Sequence, residues 1–223
     1  MSVDGVGRRS GWLIGVLLLT SLSSGGELAI GEVVLVKDGQ PRATIVLGHR
    51  PASSAQLAAF ELQHYLARIS GARLPIVRES ETETKLVSGT VVLVGHSRRA
   101  KRLGVTQKEL APQEYVVRTH PDGLLLCGHD GPGSDTLSYD SYSSIYQAVS
   151  QPIGTCYAVH SFLENQLGVK WYLPNAKLGE VVPGARDIVV GKLAIRRHPD
   201  LPVRAVYPLF VNTERLVFTE WDK

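Results

Sequence analysis

Apolar, β-branched runs bounded by glycine recur along the first part of the chain. Residues 32–39 read EVVLVKDG, residues 43–48 read ATIVLG and residues 90–95 read TVVLVG. Runs of this length and composition predict buried strands. A further pair, EYVVRT and LLLCGH, flanks the sequence HPDG at 120–123. Because Pro-Asp-Gly favours a turn, this pair predicts a β-hairpin.

Two other segments carry apolar residues at helical spacing. Residues 51–71 read PASSAQLAAFELQHYLARISG and residues 154–168 read GTCYAVHSFLENQLG. Ser53 or Ser54 is the predicted N-cap of the first helix. A glycine closes each segment, as is common just past a helix end. The predicted inward residues are Leu57, Phe60, Leu62, Leu66 and Ile69 in the first helix, and Tyr157, Val159, Phe162, Leu163 and Leu167 in the second.

The order of these elements predicts an α/β (α+β) fold in which helices pack on a mixed β-sheet. Residues 130–152 are rich in Gly, Ser, Asp and Tyr, which predicts a long surface loop. The proline-bounded segment RRHPDLP at 196–202 predicts a linker. Residues 203–210, VRAVYPLF, predict the strand that begins the next unit.

The N-terminus has the pattern of an export signal. Arg8 and Arg9 precede the apolar stretch 12–22, and small residues follow it. This order predicts a signal peptide over residues 1–26 and an exported protein, periplasmic or extracellular. An uncleaved N-terminal anchor is the alternative, although the apolar stretch is short for a membrane span.

Charge and cysteine content narrow the function classes. The net charge of +3 arises from 24 basic and 21 acidic residues. This balance, without basic runs interleaved with aromatic residues, argues against a nucleic-acid partner. Cys127 and Cys156 lie in an apolar strand and an apolar helix. Those positions favour two buried thiols over a disulfide, which export would also permit.

The sequence offers no catalytic or metal-binding pattern. The histidines lack HExxH spacing, the cysteines lack CxxC spacing, and no GxSxG, GxGxxG or Walker motif occurs, so no catalytic residue, metal or cofactor is predicted. Cys156 and His160 share one helix face, but the apolar context favours core packing. Glu164 and Glu180 are candidates for a glycosidase carboxylate pair, but structural or solvated roles are favoured for both.

Aromatic residues are the remaining candidates for a binding site. Trp171 and Tyr172 follow the second helix in VKWYLP. An exposed aromatic face can stack on a sugar, so both are candidate carbohydrate-binding residues. Alternation along a strand turns one ring inward and the other outward, and Trp171 closing the core is the competing interpretation.

Four segments, in order, carry a resemblance to a known group of proteins. GTCYAVHSFLENQLGVKWYLP followed by GEVVP resembles the final helix and strand of the N-terminal domain of family-67 α-glucuronidases. It is also similar to the domain before the barrel in family-20 β-hexosaminidases and in related exported bacterial proteins. The hairpin, the segment ASSAQLAAFELQHYLARISGARLPIV and the strand TVVLVG match the same plan. The insertion 130–152 departs from it.

This resemblance implies an accessory domain over residues 32–195, joined to a (β/α)₈ barrel that carries the catalytic acids. Residues 196–223 are then expected to be a linker and the truncated start of that barrel. The expected function is a non-catalytic scaffold of an exported glycoside-hydrolase-like protein, with the barrel as partner. The alternative is a stand-alone carbohydrate-binding module using Trp171, Tyr172 and the tyrosines at 139, 142 and 146. A complete small enzyme has no supporting motif.

Overall fold

The computed structural model describes residues 32–79, 89–132, 136–173 and 178–200. The predicted signal peptide and the predicted start of a barrel strand at 203–210 lie outside the described residues. None of the described helices combines the length and the apolar character that crossing a membrane requires.

A six-stranded mixed sheet forms the centre of the fold. Its strands are β3 (Ala43–Leu47), β4 (Ile76–Arg78), β5 (Thr90–Val94), β6 (Tyr115–His120), β7 (Gly123–Gly128) and β11 (Ala194–Arg197). They lie in the order β11-β6-β7-β5-β3-β4. Strands β4, β3, β5 and β7 are parallel, whereas β6 runs antiparallel to both β7 and β11. The mixed α+β fold predicted from the sequence is confirmed.

Two smaller sheets complete the β-structure. Strand β1 (Val33–Lys37) lies between β2 (Gln40–Pro41) and β10 (Ile188–Val190). Strands β8 (Lys170–Trp171) and β9 (Glu180–Val181) form a separate antiparallel pair.

Side chains that alternate between the two faces of the central sheet contribute to two separate hydrophobic cores. On one face, α1 (Ser53–Ser70) and α4 (Gly154–Leu167) cover residues such as Ile45, Val92 and Leu126. On the other face, α2 (Arg98–Arg102) and the turn that follows it cover residues such as Val46 and Leu93. Strands β3, β5 and β7 are therefore buried on both faces, which explains why their sequences are almost continuously apolar.

The two long helices agree closely with the prediction, apart from one cap. Gly71 and Gly168 both adopt the left-handed conformation at the predicted helix ends, where glycine carries no steric cost. Phe162 is 1% exposed, as its predicted inward position requires. The N-cap of α1 is Ala52 rather than a serine, because Ser53 and Ser54 already lie within the helix.

Two segments differ from their predicted structure. Helix α3 (Tyr142–Val149) lies within the segment predicted to be a loop. The Ser141 side chain caps its start, and Ala148 is buried in the same core as α1. The predicted linker also begins too early, because Arg196 and Arg197 belong to β11. Their backbones pair with β6, and the Arg196 guanidinium forms an ion pair with Glu114.

Candidate carbohydrate-contact site

The predicted carbohydrate-binding residues lie on the β8–β9 pair, directly after α4. Gly168 reverses the chain in the left-handed conformation, and the buried Val169 donates its N–H to the Leu163 carbonyl at 3.1 Å. In the β8–β9 register, Trp171 lies opposite Glu180. This arrangement holds the strand pair against α1 and α4.

Trp171 is half-buried and packs against the core. Its indole Nε1 donates a hydrogen bond to the Tyr65 hydroxyl at 2.7 Å. The two rings meet edge to face, with centroids 5.3 Å apart, and the His160 ring lies 5.5 Å from Trp171 on α4. The packing interpretation therefore describes the Trp171 side chain in this structure.

Tyr65 and Glu180 continue this polar contact beneath Trp171. The Tyr65 hydroxyl donates to Glu180 Oε1 at 3.0 Å, and Arg68 forms an ion pair with Glu180 Oε2. The Glu180 side chain is 2% exposed, so its charge is compensated inside the protein. Burial, followed by the nearby Glu61 and Glu180 charges, raises the pKa of Tyr65 even though the Trp171 hydrogen bond opposes it. Tyr65 therefore stays a neutral hydrogen-bond donor.

A second polar cluster lies beside Trp171, centred on Glu61 of α1. Glu61 Oε1 accepts from the Tyr139 hydroxyl at 2.5 Å, and its Oε2 lies 3.7 Å from His160 Nε2. Burial alone would raise the pKa of Glu61, but the His160 and Tyr139 hydrogen bonds outweigh it and the pKa is lowered. The cluster joins α1, α4 and the segment before α3.

Tyr172 points the other way and is 71% exposed. Its neighbours on the pair are exposed as well: Leu173, Leu178 and Val181. Trp171 faces in and Tyr172 faces out, as strand alternation requires. Among the described aromatic residues of this strand pair, Tyr172 is thus the one whose ring face solvent can reach, and its contact with a sugar stays a prediction.

The other sequence candidates are held in separate structural roles. Glu164 is half-exposed and forms an ion pair with Lys170 at 3.2 Å, whereas Glu180 is bound to α1. Cys156 is buried and donates its S–H to the Ser54 carbonyl at 3.1 Å, while His160 faces Glu61. Burial raises the pKa of the Cys156 thiol, so it stays protonated. Both cysteines are free.

The carboxyl ends of β3, β5 and β7 are the usual place for a ligand in a parallel sheet. Ligands bind there at the point where consecutive helices pass to opposite faces. Here α1 follows β3 on one face and α2 follows β5 on the other. This edge is therefore the expected position of a binding crevice.

The N-terminus of α4 at this edge is occupied by the Asp130 carboxylate. Asp130 Oδ1 accepts from the Thr155 backbone N–H at 2.9 Å, and Oδ2 accepts from the Thr155 hydroxyl at 2.5 Å. Burial raises the pKa of Asp130, and the two Thr155 hydrogen bonds oppose that shift. An aspartate of this chain thus fills the position where a helix N-terminus would bind an external anion.

The N-terminus of α2 is filled in the same way by Glu79. The Glu79 oxygens accept from the backbone N–H groups of Arg98 and Arg99 at 2.9 and 3.0 Å. The Glu79 side chain is 4% exposed. Two buried carboxylates of the protein therefore accept hydrogen bonds at the N-termini of α2 and α4, whereas α1, which also begins at this edge, has no side-chain cap.

The backbone also packs closely at two points between the strand ends. A Cβ atom on Gly128 would lie 2.1 Å from the Gly154 carbonyl carbon, and one on Gly48 would lie 2.2 Å from the His96 carbonyl oxygen. His96 also fills space there, with its Nε2 2.8 Å from the Gly128 carbonyl oxygen. In the described part of the chain, no group of three or more His, Cys, Asp or Glu residues is placed to hold a metal ion.

Sequence reasoning missed the partners of Trp171 because they come from a distant helix. Tyr65 and Arg68 lie more than 100 positions before Trp171 and Glu180 along the chain. One signal was present, since Glu61, Tyr65 and Arg68 recur at helical spacing in a segment that is otherwise apolar on that side. Polar residues at this spacing next to a core face indicate a second contact surface.

Comparison with known proteins places this fold. No protein-family model matches the chain, and no curated protein matches its sequence. The structure is similar to a family GH115 4-O-methyl-α-glucuronidase with specificity for decorated arabinogalactans, with a TM-score of 0.51 and 16% sequence identity. The match covers 76% of this chain and 19% of that enzyme. This chain therefore shares a fold with about a fifth of a large glycoside hydrolase, from a family other than the two named above.

Proposed function

We propose that this chain is a non-catalytic accessory domain of an exported glycoside-hydrolase-like protein. The observation that carries the proposal is the carboxyl edge of the sheet, where Glu79 and Asp130 occupy the N-termini of α2 and α4. A fold of this kind normally binds its ligand there, so closing this edge with its own side chains favours a structural role.

The structural similarity to the GH115 enzyme supports a role connected with carbohydrates. The matched segment is a minor part of the GH115 enzyme, as expected for one domain among several. The proposed partner is a (β/α)₈ barrel that supplies the catalytic acids. The exposed apolar side chains of the β8–β9 pair suit burial against such a neighbour, because contiguous apolar surface is uncommon on an isolated domain.

An activity assay tests this proposal. The purified chain is incubated with aryl-glucuronide and aryl-hexosaminide substrates, and we expect no release of the aryl group. Glycoside hydrolysis needs two carboxyl groups flanking one bond. Glu164→Gln and Glu180→Gln variants serve as controls for trace contamination. Turnover that disappears in either variant would show a catalytic carboxylate in this chain and overturn the proposal.

The exposure of Tyr172 favours a second candidate function, a stand-alone carbohydrate-binding module. Affinity electrophoresis in gels containing glucuronoxylan or arabinogalactan separates the two functions. An accessory domain migrates alike in gels with and without polysaccharide. A binding module is retarded, and Tyr172→Ala abolishes the retardation while Val189→Ala, which shortens an exposed side chain of β10, preserves it.

Export forms part of the proposal and has its own test. Expression with the native N-terminus in a bacterial host, followed by mass spectrometry, should find a mature N-terminus between about Ser23 and Ala29, as expected from the small-residue cleavage rule. A cytosolic protein that retains Met1 would contradict export.

A further inference from the structure

The opposite side of the central sheet carries a cavity of about 420 Å³ under α2. Its apolar wall consists of Val91 and Leu93 from β5 and Leu103 at the end of α2. Its polar groups are Arg99, Arg102, His120 and Asp122. The volume lies within the range of small-molecule sites, and the combination of an apolar wall with a few polar groups is typical of them.

The buried polar group of this cavity is the His120 imidazole. His120 is 7% exposed, and its Nε2 has no hydrogen-bond partner in the described part of the chain. The backbone N–H of Asp122 donates to His120 Nδ1 at 3.3 Å. Because Nδ1 accepts, the ring proton is on Nε2, which is therefore a buried donor that makes no close hydrogen bond to a described residue. Buried donors of this kind are rare, and each needs an explanation.

The charge around His120 favours an anion as the missing acceptor. Neither Arg99 nor Arg102 forms an ion pair with a described residue. Asp122 offsets one of the two positive charges at the rim. The pKa of His120 is lowered, chiefly by burial and further by Arg118 and Arg99, while Asp122 and the Leu124 carbonyl oppose the shift. The imidazole is thus neutral near pH 7 and donates one N–H.

Neighbouring contacts hold these groups in place without an external ligand. Arg118 donates from its guanidinium to the Leu103 carbonyl, which fixes the end of α2 over the sheet. A Cβ atom on Gly123 would lie 2.0 Å from the Val91 carbonyl oxygen, so the turn that carries Asp122 packs directly on β5. The end of α2 and the turn after His120 are therefore both held against the sheet.

We propose that this cavity binds a small molecule through an oxyanion, which can be a carboxylate, a sulfate or a phosphate group. His120 Nε2–H donates to one oxygen of the anion. The guanidinium groups of Arg99 and Arg102 supply charge-assisted donors in the fork geometry that suits such groups. Val91, Leu93 and Leu103 contact the uncharged body of the ligand. The proposal does not depend on the accessory-domain function.

Isothermal titration of the full chain at constant ionic strength tests this site. The probes are sodium phosphate, sodium sulfate, sodium acetate and sodium glucuronate, with glucose as the uncharged control. We expect saturable binding of at least one anion and none of glucose. Binding of phosphate and sulfate alone identifies a tetrahedral anion, and binding of acetate or glucuronate identifies a carboxylate. The absence of saturable binding for all four anions would overturn the proposal.

Matched variants on one helix separate a specific site from general charge attraction. Arg99→Gln and Arg102→Gln should each weaken binding by about tenfold or more, as expected for the loss of a charge-assisted hydrogen bond. Lys101→Gln removes the same charge from α2 outside the cavity and should leave the affinity nearly unchanged. The ¹⁵N resonance of His120 Nε2 should shift with the same midpoint as the titration. Equal weakening in all three variants, or an unmoved His120 resonance, would contradict the assignment.

Discussion

The two ends of the parallel strands satisfy their polar groups in opposite ways. At the carboxyl end, Asp130 and Glu79 are buried and each accepts two hydrogen bonds from the N-terminus of a helix. Towards the amino ends of β5 and β7, the buried His120 lies beside Arg99 and Arg102, and its Nε2 has no hydrogen-bond partner among the described residues. At the first end, carboxylates of the protein cap α2 and α4, whereas the other end has donors that an external acceptor can satisfy.

This difference shows that the polar chemistry at the two ends of the sheet does not follow from the fold alone. The carboxyl end has the topology of a binding crevice, yet the protein fills it with its own carboxylates and with glycine backbone. The amino end lacks that topological advantage and instead provides charge, a buried donor and an open cavity. The chemistry of each site, rather than its position in the fold, is therefore the guide to function.

The largest expected effect on stability comes from a substitution in the hydrophobic core between α4 and the central sheet. Phe162 of α4 is 1% exposed, so Phe162→Ala should lower the free energy of unfolding by about 3–5 kcal/mol, the range for a buried Phe. Urea denaturation measures this loss. Leu178→Ala is the matched control, because Leu178 is 82% exposed and its truncation should change stability by less than about 0.5 kcal/mol. Equal losses in the two variants would show that α4 does not pack as described.

Gly128→Ala tests the closure of the carboxyl end. Its new Cβ would overlap the Gly154 backbone, so we expect a loss of about 1–3 kcal/mol or more from forced backbone movement. Gly191→Ala, where no atom lies within 4 Å of the new Cβ, should be close to neutral. The comparison is made by thermal denaturation. A neutral Gly128→Ala variant would mean that this edge has free space after all.

The elements that sequence could predict are those with a strong local period. Helices α1 and α4 and the β6–β7 hairpin follow from their apolar spacing and turn residues. Helix α3 was missed because Ile145 and Ala148 provide few apolar positions in a Ser- and Tyr-rich segment, and contact with the core of α1 stabilises it. The contacts at the sheet ends were not predictable either, because they join residues that are distant along the chain. Asp130 and Thr155 are 25 positions apart, and their contact exists only once the sheet has formed.

The contributions of Asp130 and His120 to stability should depend on pH in opposite directions, which distinguishes the two ends of the sheet. The folded-state pKa of Asp130 is raised above its usual value of 3.8, so the stability it contributes is present below that value and is lost as the pH rises through the folded pKa. The folded-state pKa of His120 is lowered below 6.5, so the stability from its neutral form is present above 6.5 and is lost as the pH falls through the folded pKa.

Urea denaturation of the natural chain, Asp130→Asn and His120→Gln, at pH values on both sides of the two folded-state pKa values, measures both effects. Relative to the natural chain, Asp130→Asn should become more stable as the pH rises from the acid side through the folded pKa of Asp130. His120→Gln should become more stable relative to the natural chain as the pH falls below about 6.5. The effects are expected to be smaller than those of the packing variants. Parallel pH profiles of all three proteins would remove the proposed electrostatic contrast.

The most direct test of the account is a ¹H–¹⁵N NMR titration of the labelled chain with glucuronate and N-acetylglucosamine. The central claim is that the carboxyl end of the sheet is closed by the protein itself, which is the basis for a non-catalytic role. We expect the backbone amide signals of Gly48, Gly95 and Gly128 to stay unchanged, while any saturable shift induced by glucuronate appears at Arg99, Arg102 and Gly123. Saturable shifts at the three carboxyl-end glycines would show a ligand site there and contradict the claim.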